Sequence, residues 1–122
     1  MKEFRSLSRS AEHFSVPGEN PIFGCFREAV REIRAGRCGE ARKILSRAAA
    51  MDLENPEIFN LLGISYEMEG NRVKAARFYR VAYYMDQSFA ASSKNLGRVG
   101  GFLYGGTSEI CWGLDVSITE RK

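Results

Sequence analysis

The sequence predicts an all-α fold of antiparallel helix-turn-helix units stacked on one another, and three observations predict it. A period of thirty-four residues runs through its middle: Gly36 and Gly70, Ala41 and Ala75, Leu45 and Tyr79, Ala48 and Ala82, Asp52 and Asp86, Leu62 and Leu96 all recur in phase. Ala29, Gly63 and Gly97 continue the same spacing. Small, large and acidic positions repeating together mark a supersecondary unit that packs on copies of itself. Within each unit apolar residues fall at helical spacing, and glycine or proline interrupts them at the boundaries.

The elements follow in order. Phe4, Leu7, Ala11 and Phe14 lie near helical spacing, so the tail over 1–20 holds a short helix if it packs, with Pro17-Gly18 ending it. The helical domain spans 21–99, with helices predicted over 21–35, 38–51, 56–69, 72–85 and 89–99. Arg27, Arg31 and Arg34 form a basic stripe on the first, partly matched by Glu28 and Glu32. Ala41, Leu45 and Ala48 line the second. The third opens with Asn55 as N-cap and Pro56 at the first helical position. Phe59, Leu62 and Tyr66 share a face there, and Gly63 lets the paired helix approach its backbone closely. Glu69-Gly70-Asn71 is a tight turn. Ala75, Tyr79 and Ala82 make the stripe of the fourth helix, and Leu96-Gly97 opens an unfinished third copy on the last.

The run Phe59-x-x-Leu62-Gly63-x-x-Tyr66, followed by Gly70, Ala75, Tyr79, Ala82 and Asp86, resembles the tetratricopeptide repeat. Gln87 stands where that repeat closes with proline. In the earlier copy Cys25, Glu28 and Glu32 replace an aromatic, a leucine and a tyrosine, although its second half fits well. The resemblance covers residues 21–99 as two repeats plus a capping helix. It implies a short right-handed superhelix whose concave face is lined by the first helix of each pair.

Carried over by register, the resemblance places Phe23, Phe26, Arg27, Val30 and Arg34 on that face from the first repeat. Glu57, Asn60, Leu61, Ile64 and Met68 come from the second, and Ala91, Lys94, Asn95 and Arg98 from the last helix. An apolar, methionine-bearing floor with a basic end suits an extended or helical peptide. The implied function is a protein-protein interaction module. The protein-binding residues are Phe23, Phe26, Val30, Asn60, Leu61, Ile64, Met68, Lys94, Asn95 and Arg98. The family's carboxylate clamp for chaperone C-termini is not met, because Ile64 and Leu61 occupy two of its polar positions. An alternative stays open: a structural subunit whose groove is filled by its own tails or by a second copy.

Composition narrows the rest. A chain of 122 residues, 44% hydrophobic, suits one small domain with a core of limited size. Its net charge of +3 is uneven, with ten Lys+Arg against six Asp+Glu over 1–50 and eight against nine over 51–122. No recognition motif or aromatic interleaving accompanies the basic stripe, so no nucleic acid is expected. No membrane span and no signal-peptide block are expected. Cys25, Cys38 and Cys111 are odd in number and widely spaced, which suits a reducing cytoplasm, with Cys25 and Cys38 filling helix interfaces. His13 is the only histidine, and nucleophile elbow, phosphate loop and metal-ligand spacing are all missing. Neither an enzyme nor a cofactor nor a metal site is expected.

The remaining segment, 100–122, begins with Gly100-Gly101 and Gly105-Gly106, read as a linker. Ile110, Trp112, Leu114, Val116 and Ile118 then alternate with Glu109, Cys111, Gly113, Asp115 and Ser117. That period of two predicts an extended strand with one apolar face, which needs a partner edge or a groove. A homodimer through this segment is one way to supply it.

Overall fold

The computed structural model describes residues 18–101, 104–107 and 109–113. Over these it is all-helical: α1 (Pro21–Arg34), α2 (Cys38–Met51), α3 (Pro56–Met68), α4 (Arg72–Met85) and α5 (Ala90–Val99). The predicted helices agree to within a residue at each end. The N-terminal helix predicted around Phe4 to Phe14 lies outside the described residues.

Local chemistry sets the boundaries. Asn20 and Asn55 each precede a proline at the first helical position and accept a backbone N–H, from Ile22 and Glu57, both at 3.0 Å. Asn71 caps α4 by accepting the Lys74 N–H at 3.0 Å. At the other ends Gly36 and Gly70 take φ of +85° and +88°. The following N–H then reaches back to close the helix, Arg37 to the Glu32 carbonyl at 2.8 Å and Asn71 to Tyr66 at 2.9 Å. Asp52 and Asp86 end α2 and α4, and each accepts the N–H two residues on, from Glu54 at 3.2 Å and Ser88 at 3.0 Å. Asp86 thus closes its turn with proline absent at Gln87.

Each helix packs on its neighbour in the chain, and α3 also touches α1 and α5. The result is an inner row of α1, α3 and α5 with α2 and α4 behind it. The repeat positions seal the contact between rows: Ala41, Leu45, Ala48, Ala75, Tyr79 and Ala82 are all fully buried. Gly63 is the closest approach. A β-carbon there would lie 2.5 and 2.6 Å from ring carbons of Tyr79 and 3.1 Å from the Ala75 carbonyl oxygen. Cys25 and Cys38 belong to the core, where burial pushes both thiols up from their ordinary range.

No strand is present among the described residues. Of the predicted strand, residues 110–113 lack any ladder, and residues 114–118 lie outside the described residues. Alternation of apolar side chains marks an extended chain with one covered face, and here the cover is the inner helix row. Within the glycine-containing stretch, the Gly106 carbonyl accepts from Arg98 Nη1 at 3.1 Å. No helix among the described residues is long and apolar enough to cross a membrane.

Candidate functional site: a groove holding the chain's own segment

The inner row of helices carries a line of polar side chains in an otherwise apolar face. On α3, Glu57, Asn60, Ile64 and Glu67 follow one another at spacings of three, four and three, which stacks them along one side of the helix. Asn95 and Arg98, one turn apart on α5, stand opposite. Asn60, Asn95, Glu57 and Glu67 are all buried. Buried polar groups at this depth require partners, and residues 104–107 and 109–113 supply many of them.

Two amides grip the backbone N–H and C=O of one residue, Cys111. Asn95 Nδ2 donates to the Cys111 carbonyl at 2.8 Å, and Asn95 Oδ1 accepts the Cys111 N–H at 2.8 Å. Asn60 Nδ2 donates to the same carbonyl at 3.1 Å, and its Oδ1 accepts the second Asn95 N–H at 2.9 Å. The carbonyl therefore has both lone pairs filled. On either side of this residue the segment contributes apolar contacts. Ile110 enters the hydrophobic core, and Trp112 packs against it with the Arg34 guanidinium 4.8 Å from the ring centroid.

Glu67 anchors the other end. Its side chain is fully buried and forms a two-pronged ion pair with Arg98, with the Oε1 contact from Nη2 at 2.9 Å. Tyr79 and Tyr104 donate their hydroxyls to it at 2.7 and 2.5 Å. Burial by itself raises a carboxyl pKa, but the donors from Arg98, Tyr104 and Tyr79 together outweigh it and hold Glu67 below the usual carboxylate range. Burial first, and then the hydrogen bond to Glu67, raises both tyrosines above their ordinary range, and the Glu67 contact raises Arg98. Arg98 also donates to Asn95 Oδ1 at 3.0 Å, so the anchor and the amide grip form one network. Arg72 completes the seat of Tyr104, its guanidinium 4.0 Å from the ring centroid.

Of the predicted protein-binding residues, the structure brings Asn60, Asn95 and Arg98 together on the segment. Phe26, Val30, Leu61 and Ile64 form the buried apolar floor, with Phe23 edge-on to Phe26 at 6.1 Å. Met68 is 41% exposed and Lys94 is exposed; neither takes part in the described grip. Of the basic stripe only Arg27 is withdrawn from solvent, while Arg31 and Arg34 are exposed. Arg27 is buried against Glu19 at 2.6 Å, and Arg34 lies over Trp112. Among the described residues, nothing groups three ligands that could hold a metal ion.

Sequence reasoning missed Glu67, Tyr104 and Cys111. Glu67 carried one signal: it continues the stripe of Asn60 and Ile64, and an acid on an inward face implies a buried cation, here Arg98. The chain was compared with protein-family models, with curated proteins and with solved structures, and matches none of them.

Proposed function

We propose that this chain is a protein-interaction module of the tetratricopeptide type, two repeats and a capping helix wound as a short right-handed superhelix. Its inner face takes an extended protein segment, and its own residues 104–107 and 109–113 occupy that face in cis. The role is binding rather than catalysis. One observation carries the reading: Asn60 and Asn95 satisfy both backbone hydrogen-bonding groups of one residue, Cys111, at 2.8 to 3.1 Å. Backbone groups are common to every extended chain, so side-chain amides aimed at them recognise a peptide as such. Pockets on either side, filled here by Ile110 and Trp112, then supply selectivity.

A second reading has its own support. Every polar group of the grip is already satisfied within the chain, as in a structural subunit whose face serves only to bury its own segment. One experiment separates the two. Trp112 is the only tryptophan. The full chain carrying Ile110→Ser and Trp112→Ala therefore has a weakened occupant and no indole, and a peptide copying residues 104–113 brings the sole indole reporter. Saturable blue-shifted emission is expected, and it should vanish when Asn95→Ala is added. Absence of binding to a chain whose far-ultraviolet circular dichroism is unchanged would leave only the structural role.

A further inference from the structure

The docked segment shows what the face asks of a ligand, residue by residue. At Ile110 the side chain is buried in the hydrophobic core. Cys111 is held through its backbone: its side chain is half-exposed, and its Sγ approaches the Glu109 carbonyl, two residues back, at 3.9 Å. Trp112 lies between that core and the Arg34 guanidinium. Gly113 is constrained twice over. Its φ of +106° lies in the region that side chains rarely adopt. The place a β-carbon would take is already filled by the Glu57 carboxylate. That carboxylate is the end of a flexible side chain rooted on the first turn of α3, and it would have to turn aside to admit one.

We infer that this face selects, in a partner protein, an extended segment reading large aliphatic, any residue, large aromatic, glycine, and that Ile110-Cys111-Trp112-Gly113 is a tethered stand-in which that partner displaces. The inference rests on the peptide-binding reading above and adds the ligand class to it. The glycine is the sharpest element. A side chain there meets an unfavourable backbone region, and the Glu57 carboxylate must also move to make room for it. Tethering matters as well. A segment joined by so short a connection to α5 acts at high effective concentration, so a partner must carry the full pattern, or further contacts, to displace it.

The test uses the full chain with Ile110→Ser and Trp112→Ala, titrated with peptides spanning residues 104–113. The parent peptide and one with Cys111→Ser should bind alike. A peptide with Gly113→Ala should bind more weakly by on the order of tenfold or more, the factor expected for one residue forced into the left-handed region, and one with Trp112→Ala should bind more weakly through loss of its packed ring. Adding Glu57→Ala to the chain should narrow the gap between the glycine and alanine peptides, because the carboxylate is gone while the backbone cost remains. The same ranking should appear on the unmodified chain, read as displacement of its docked segment by labelled peptide. Equal binding of the glycine and alanine peptides would overturn the ligand class and leave the peptide site standing. Failure of all peptides would overturn the site itself. Concentration-dependent dimerisation of the unmodified chain with Trp112 still shielded would make a second copy the occupant and overturn the foreign partner.

Discussion

Gly63→Ala adds a single methyl group at the point where α3 and α4 come closest, and two opposing effects decide its outcome. Alanine is the better helix former by about 0.5–1 kcal/mol. Against that, the new carbon would start 2.5 and 2.6 Å from two ring carbons of Tyr79, roughly 1 Å inside normal carbon contact. The ring has no free direction of retreat: Tyr79 is fully buried and its hydroxyl is held by Glu67 at 2.7 Å. Overpacking of this kind costs about 1–3 kcal/mol, and the depth of overlap places it at the upper end. The net expectation is destabilisation by about 2 kcal/mol, with Gly63→Leu worse. Urea unfolding followed by circular dichroism measures it, and a double-mutant cycle with Tyr79→Leu should recover much of the loss because the smaller side chain vacates the overlap. Gly63→Ala as stable as the parent, or more so, would refute the packing argument, since propensity would then be the only effect acting.

Two further perturbations separate other causes. Gly70→Ala should cost about 1–2 kcal/mol by urea unfolding, the usual penalty for a left-handed residue. Nothing lies within 4 Å of its β-carbon position, so here the cost is conformational and not steric, and no second-site change should relieve it. Glu67→Gln should destabilise by about 3 kcal/mol or more, because it leaves the Arg98 charge buried without its carboxylate. The same residue sets a pH dependence. The folded state holds Glu67 below the ordinary value of about 4.3, so its contribution is present above that value and is lost as pH falls through the folded one. Unfolding midpoints measured at falling pH should show that loss in the parent and a shallower slope in Glu67→Gln.

Much of this protein was written in short-range sequence signals. The thirty-four-residue period, the asparagine-proline start at Asn55, the glycines at 36 and 70 and the small residue at Gly63 all act through neighbours in the chain or in the adjacent helix. Helix positions therefore followed from spacing and capping alone. The register carried over from the resemblance grouped Asn60, Asn95 and Arg98, and the structure brings these three side chains together. What the sequence left undecided was the occupant of that face. A period of two over Ile110 and Trp112 is the same whether an extended chain pairs with another strand or is gripped by side-chain amides, since alternation reports a covered face and not what covers it. Only the tertiary structure decided between them, by bringing Asn95 to Cys111 and Glu67 to Tyr104. Glu67 shows why: its partners Arg98 and Tyr104 lie 31 and 37 residues away, and a charge whose partner sits on another helix looks, in sequence, like any solvated one.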